Sequence, residues 1–396
     1  MKEISKIASM VKASATLKVD ALYKQMKAEG KDVIGFGAGE PDFDTPDHIK
    51  EAAYKAIREG KTKYTPSNGL PLLRQAAANR ILADFGVKYT AEQMVVASGA
   101  KHSIYIALQV LLNPGDEVVL PAPCWVTYAE AVRMAGGVSV IVPSQETDGF
   151  KITKDQLEHA VTDKTKLFII NNPSNPTGML YNADELRELA ESCIRHDLYI
   201  LADEVYYRFV YDGREFTSIA SLGDDVKERA IIVNGVSKLY SMTGWRIGYT
   251  ASTAKLAEVM GNYLSHSTSS PSTISQIAAI EALSGPQDSV FEMRDVFQKR
   301  RDYIVERINS IEGVSCRKPE GAFYIMLNIE KQIGRELGGR TIKNSDDFSM
   351  ALLESSHVAA VSCSGFGCDN FIRMTYAASM EAIKEGMNRL EKFVAG

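Results

Sequence analysis

The patterning of this chain predicts an α/β fold: a large domain with a mostly parallel seven-stranded sheet between helices, and a smaller α+β domain beside it. Three observations carry that expectation. Short apolar runs alternate with helical periodicity through the middle of the chain, the pattern of a parallel sheet covered on both faces. Seven such runs occur, at 93–98, 117–122, 138–142, 166–171, 199–203, 230–234 and 247–251. Around Ser284-Gly285-Pro286 the pattern changes and a long charged helix begins. At 396 residues the chain is long enough for two domains with a substantial core.

The individual elements follow from composition and period. The seven runs are rich in Val, Ile, Leu and Ala with little polar alternation, as expected of strands buried on both faces. Between them, 101–112, 126–135 and 184–196 read as helices. Beyond the Gly-Pro break come a long charged helix from 290 to about 311 and a strand at 321–328. A helix near 346–356, a strand at 370–376 and a terminal helix from about 379 complete the order. This change of pattern reads as a smaller α+β unit.

Bulk composition narrows the function classes. Apolar content of 45% and charged content of 24% are ordinary for a globular protein. A net charge of −5 with no basic run argues against nucleic acid or an anionic membrane as partner. No apolar stretch approaches membrane-spanning length, and residues 1–12 lack the apolar core of a signal peptide, so a cytoplasmic location is expected. Five scattered cysteines form no disulfide framework and no paired CxxC site, and six histidines form no HExxH pattern, so no metal is expected.

The segment 233–249, Val-Asn-Gly-Val-Ser-Lys-Leu-Tyr-Ser-Met-Thr-Gly-Trp-Arg-Ile-Gly-Tyr, is the most informative. Lys238 lies just past a buried strand end, where α/β folds place their chemistry. Desolvation lowers the pKa of a lysine, and a neutral amine condenses with an aldehyde to a Schiff base. Arg246, between Gly244-Trp245 and Ile247-Gly248, suits an anionic handle such as a phosphate. The pairing suggests pyridoxal phosphate, although the segment alone also fits a surface lysine and a structural arginine. Two further segments favour the first reading. Asn171-Asn-Pro-Ser-Asn175-Pro-Thr-Gly178 follows a buried strand, and Asp203 ends another, with Tyr206 three residues on. A buried carboxylate needs a partner, and the pyridinium N–H of that cofactor is one. Ser98-Gly99-Ala100-Lys101 follows a strand and opens a helix, whose free N–H groups form an anion site. Gly35-Phe-Gly37-Ala-Gly39 looks like a dinucleotide fingerprint, but Glu40 takes the sixth position and the following Pro41 to Pro46 stretch cannot open the required helix.

With these motifs in this order, the chain resembles the fold-type I pyridoxal-phosphate-dependent aminotransferases of class I, and within them the bacterial aspartate aminotransferases of subgroup I-beta. The resemblance runs from Lys12 to Arg373. It implies a large cofactor-binding domain at 48–285 and a small domain formed from both chain ends, 1–47 and 286–396. It implies Lys238 as the Schiff-base lysine and proton shuttle, Asp203 as the pyridinium partner, and Tyr206 and Asn175 on the phenolic oxygen. Trp125 corresponds to the aromatic that stacks on the ring, and Gly99, Ala100, Ser237 and Arg246 to the phosphate ligands. Some relatives carry a serine where this chain has Gly235, so one phosphate contact is missing or replaced. Tyr64 corresponds to the tyrosine that reaches a neighbouring subunit's phosphate, which implies a homodimer with shared sites.

For substrate, the resemblance gives Arg373 the α-carboxylate and Gly39 a backbone contact to it. Lys101 corresponds to a distal-carboxylate residue in enzymes of this subgroup, with Lys12 as a second cation beside Thr16. A buried ammonium is costly without a counter-charge, and a cation at a helix start opposes the helix dipole, so both lysines point to an anionic tail. The expected reaction is L-aspartate plus 2-oxoglutarate giving oxaloacetate plus L-glutamate by a ping-pong course. Prephenate is an alternative amino acceptor, and an aromatic or branched-chain aminotransferase or a carbon–sulfur β-lyase are other enzymes of the fold. Lys101 argues against the aromatic and branched-chain enzymes and the β-lyase, whose substrates lack a distal carboxylate. A cofactor-binding regulator without turnover is the alternative of another class; no DNA-binding module or basic tail is appended to support it.

Overall fold

The computed structural model describes residues 2–11 and 16–396, with residues 16–18 described by their backbone alone. The seven expected runs form one seven-stranded sheet: β1 Met94–Ala97, β2 Glu117–Ala122, β3 Val138–Pro143, β4 Thr165–Asn171, β5 Tyr199–Asp203, β6 Ala230–Gly235 and β7 Gly248–Ala251. Their order across the sheet is β1-β7-β6-β5-β4-β2-β3. The β2–β3, β2–β4, β4–β5 and β5–β6 pairs are parallel, whereas β7 pairs antiparallel with both β1 and β6.

Both faces are covered, as the near-continuous apolar runs require. Alternate residues of one strand go to opposite cores. Leu167, Ile169 and Leu201 pack with Ile104 and Leu108 of helix α1 (Ala100–Leu111) on one face. Phe168, Ile170 and Ile200 pack with Leu186 and Leu189 of helix α2 (Ala183–Arg195) on the other. Helix α2 starts where Asn182 accepts from the N–H groups of Asp184 and Glu185 while Glu185 reaches back to the Asn182 N–H, a reciprocal cap.

Past residue 286 the long helix α3 (Asp288–Ser310) leads to a second, four-stranded antiparallel sheet. Its two central strands are β8 (Tyr324–Asn328) and β9 (Phe371–Thr375), flanked by the short pieces Ser315–Cys316 and Val361–Ser362. The strand expected at 321–328 starts later, because Ala322 adopts a left-handed backbone and Gly321 bridges instead to Val210. Near the other chain end, Ile34–Gly35 pairs in parallel with Val358–Ala359, so this stretch lies against the second unit. Among the described residues no helix is long and apolar enough to cross a membrane.

One feature of the topology positions the site. All strands of the large sheet except β7 end at the same edge, so loops after β1, β2, β4, β5 and β6 meet there. Because β7 runs the opposite way, it begins at that edge and brings Arg246 to it. Gly248, at the start of β7, faces Ala97 of β1 and Gly235 of β6. A Cβ there would run into the backbone of Gly99 and Ala100 at the start of α1. Gly248→Ala is therefore expected to cost about 1–3 kcal/mol through forced displacement of that helix start. Gly244→Ala, where a Cβ meets nothing within 4 Å, is expected to stay within about 0.5 kcal/mol of the parent. Thermal unfolding of the two variants beside the parent checks this.

Candidate active site

A cavity of about 480 Å³ opens at that sheet edge, between the large sheet and the second unit. Five strand ends contribute to its wall: Ala100 and Lys101 after β1, Trp125 after β2, Asn171 and Asn175 at β4, Asp203 and Tyr206 at β5, Ser237 and Lys238 after β6. Arg246 before β7, the Gly37–Gly39 stretch, and Tyr324 and Arg373 from the second sheet close it. Strand parity explains the selection. Asn171 and Asp203 continue the same alternation as Ile169 and Leu201, so they fall on the α1 side of the sheet.

Asp203 is 4% exposed, and its Oδ2 accepts the Tyr128 hydroxyl at 2.7 Å. Its Oδ1 has only a long contact with the Val205 N–H at 3.4 Å. Burial pushes its pKa up to about 6, against the opposing pull of the Tyr128 and Val205 hydrogen bonds and the Lys238 charge. The Lys238 ammonium donates to the Gly39 carbonyl. Burial lowers its pKa to about 8; Glu40 and Asp203 push it back up, and Arg246 and Arg373 push it further down. Lys238 is thus easier to deprotonate than an exposed lysine, with roughly a tenth of it neutral at pH 7.

The two arginines are held by neutral acceptors. Arg246, in a left-handed backbone conformation, donates to the Thr243 carbonyl at 2.9 Å and the Ser98 carbonyl at 3.3 Å. Gly99 has no room for a Cβ because the Arg246 guanidinium lies against it, so the arginine sits at the start of α1. The first N–H groups of that helix have no partner within it, which makes an anion site with the guanidinium beside it. Arg373, 5% exposed, donates to Asn175 Oδ1 at 3.1 Å and to the Gly37 carbonyl at 2.8 Å. Its Nε is buried with no partner. Lys101 places its Nζ 4.9 Å from the Trp125 ring centre, and burial first, then Arg246, lowers its pKa. The cavity is lined by four cationic side chains, Lys101, Lys238, Arg246 and Arg373, against Asp20, Asp203 and nearby Glu40, a balance that favours an anion.

The remaining sequence expectations are placed as follows. Tyr64 lies outside this cavity and is 97% exposed. Lys12 and the side chain of Thr16 lie outside the described residues. Several wall residues were not singled out from the sequence. Tyr128, in the first turn of the helix Thr127–Met134, holds Asp203. Asn171 donates to the Asp203 carbonyl at 2.8 Å and accepts from the Asn175 N–H at 2.7 Å, fixing both neighbours. Tyr324 was hidden because a strand tyrosine with apolar neighbours reads as core.

Comparison with known proteins gives a consistent picture. Residues 31–390 match the family model for aminotransferase class I and II. The chain is 47% identical to an aspartate aminotransferase of Geobacillus stearothermophilus over 394 residues, covering 100% of this chain and 99% of the relative. Among solved structures, the aspartate aminotransferase of Rhizobium meliloti superposes with a TM-score of 0.96 at 42% identity, covering 100% of this chain and 99% of that one. The Thermus thermophilus aspartate aminotransferase with maleate gives 0.93 at 36% identity, covering 99% and 100%.

The Lys238 amine should be measurably more acidic than a surface lysine. In trace labelling with acetic anhydride across pH, read by mass spectrometry, its reactivity is expected to titrate near 8, against about 10.4 for exposed lysines. Glu40→Gln removes a charge that favours the ammonium, so it is expected to move the midpoint lower. A midpoint near the surface value would show that water reaches the amine freely.

Proposed function

The chain belongs to the class I and II aminotransferases, and from that membership we propose that it transfers the amino group of L-aspartate to 2-oxoglutarate, with pyridoxal phosphate as cofactor. The observation that carries the substrate choice is the pair of cations in one cavity, Arg373 with an unpartnered buried Nε and Lys101 on the Trp125 face. A substrate with a carboxylate at each end would match both. The relatives named as aspartate aminotransferases, one of them solved with the dicarboxylate maleate, support the same choice.

The donor set also fits the cofactor. The Asp203 carboxyl, raised to about 6 by burial, gains a partner in a ring N–H and would stay ionised beside it. The α1 start with Gly99, Ala100, Ser237 and Arg246 suits its phosphate, and the Lys238 amine suits its aldehyde. Bound there, pyridoxal phosphate supplies an aldehyde for the amino group and a protonated ring that takes up the electron pair released at Cα.

The chain's own residues supply the rest. Arg373 grips the substrate α-carboxylate as a planar fork, prealigned by Asn175 and the Gly37 carbonyl. The Gly39 backbone joins that contact. Lys101 takes the distal carboxylate. Once displaced by the incoming amino group, the Lys238 amine would take the proton from the substrate Cα and hand it to the carbon that receives the amino group, with the reverse transfer for the oxo acid, and a pKa near 8 suits both directions. Tyr128 holds the Asp203 carboxylate in place. Tyr206 and Asn175 would donate to the cofactor's phenolic oxygen, and Trp125 would cover its ring and exclude water. We further assign 48–285 to a large domain, and 1–47 with 286–396 to a small one. The exposed Tyr64 serves a second copy's phosphate in a cytoplasmic homodimer, and Lys12 and Thr16 complete the substrate side.

The test uses the cofactor-loaded protein and single amino acids, without a keto acid. Its visible absorbance is expected to change rapidly with aspartate and glutamate and little with phenylalanine or leucine. The opposite preference would remove Lys101 as the specificity residue. Lys238→Ala is expected to abolish the exchange. Lys101→Leu, by deleting a charge-assisted contact of about 2 kcal/mol, is expected to raise the aspartate KM roughly 30-fold. Equal KM values for Lys101→Leu and the parent would show that the distal carboxylate is held elsewhere.

A further inference from the structure

Tyr324 stands at a junction that the reading above leaves without a task. Its hydroxyl lies 3.1 Å from the Tyr206 hydroxyl, with Tyr206 4% and Tyr324 1% exposed. A Cβ on Gly39 would come within 2.8 Å of the Tyr324 oxygen, so the glycine leaves the space that hydroxyl fills. On its other side the Tyr324 ring lies under the Arg373 guanidinium, 4.6 Å from ring centre to its carbon. Sheet register sets this contact. Tyr324 pairs with Thr375 and Met326 with Arg373, so Tyr324 and Arg373 share a face as diagonal neighbours. The charged and titratable groups around the hydroxyl are Arg373 from β9, Tyr206 and Asp203 from the large sheet edge, and Glu40 from the N-terminal segment.

Hydrogen-bond inventory then decides a direction. Two hydroxyls 3.1 Å apart share one hydrogen, and either can donate. A phenol that donates into the cavity has spent its only proton, so it can face the other hydroxyl only as an acceptor. We propose that Tyr324 is a positioning residue: its hydroxyl donates to Tyr206, strengthens the donation of Tyr206 into the cavity, and ties that donation to the charge state of the Arg373 carboxylate grip. A donor behind a donor polarises it, by roughly 10–30% of the bond. Arg373 favours negative charge on Tyr324, so it makes Tyr324 the stronger donor while its own charge is unmatched. An arriving carboxylate on Arg373 then weakens the chain at the moment of binding. This rests on the proposed function, specifically on Tyr206 facing the cofactor's phenolic oxygen.

The experiment is a pH titration of the visible absorbance of the cofactor-loaded protein with no substrate, a reading independent of turnover. Tyr324→Phe keeps the ring under Arg373 and removes only the hydroxyl. Its titration midpoint is expected to rise by about 0.3–0.5 unit, because the unprotonated chromophore loses part of its hydrogen-bond support. In a Tyr206→Phe background, the same substitution is expected to move the midpoint no further. The aspartate KM of Tyr324→Phe is expected to match the parent while kcat falls, whereas Tyr324→Leu, which also strips the ring from Arg373, is expected to raise KM. A midpoint unmoved or lowered by Tyr324→Phe, with Tyr206→Phe shifting it upward, overturns the relay alone. A Tyr206→Phe protein that titrates like the parent overturns the relay together with the assigned role of Tyr206.

Discussion

Burial of the Asp203 carboxylate sets the terms for everything around it. A carboxyl raised from 3.8 to about 6 in the folded chain binds more protons than its unfolded counterpart between those values. Stability therefore falls as pH rises through that window, by about 3 kcal/mol in all. Tyr128 offsets part of this with a 2.7 Å hydrogen bond, and Lys238 offsets part through its charge. A bound ring cation would recover most of the remainder, so the apo fold carries a cost that the ligand removes. Lys238 has the same character with the opposite sign: burial lowers its pKa, which favours the neutral amine.

The neighbouring acid shows that this burial is directional. Glu204 follows Asp203 and is 2% exposed, but strand parity turns it to the other face, where Ser218 and the Ile219 N–H reach its Oε1. Burial pushes its pKa up to about 8, and the Asp203 charge adds to the rise, so it is held mostly neutral at pH 7. Two adjacent acids thus have different charge states because one faces the cavity and the Lys238 charge, while the other is buried beside the Asp203 charge, with the Ser218 and Ile219 hydrogen bonds offsetting only part of its rise.

Much of this was legible in the sequence because the strands are short, apolar and followed by turn residues. Lys238, Asp203 and the 171–178 turn could be placed at strand ends without coordinates, and those ends meet at one edge because the sheet is mostly parallel. The reversed direction of β7 was not legible. An apolar run carries no sign of its polarity in a sheet, and only the pairing of Gly248 with Ala97 and Gly235 reveals why Arg246 lies beside Gly99. Tyr128 and Tyr324 were missed for a different reason. Their hydroxyls act across 75 and 118 residues of chain, on Asp203 and Tyr206, and a buried tyrosine in an apolar stretch looks the same whether or not its hydroxyl has a partner.

The second sheet does more than close the cavity, since it is fastened to the large sheet's edge by backbone at the place where the chemistry lies. The Gly178 carbonyl accepts from the Glu320 and Gly321 N–H groups, both at 2.8 Å, and the Leu180 N–H donates to Glu320 at 3.2 Å. A Cβ on Gly178 would meet Pro319 at 2.6 Å and the Tyr324 carbonyl at 2.7 Å, so only glycine allows the two segments this close. The buried Arg301 adds a hydrogen bond to the Pro319 carbonyl and a bidentate pair to Asp212. Asn175 lies in the fastened turn, Tyr324 in the fastened strand, and Arg373 on the strand paired with it. Arg373, Asn175 and Tyr324 are therefore fixed to one another by short contacts between the two sheets. Arg373 is one hydrogen bond from Asn175, and it is joined to Tyr206 by the Tyr324 ring beneath it and that residue's hydroxyl.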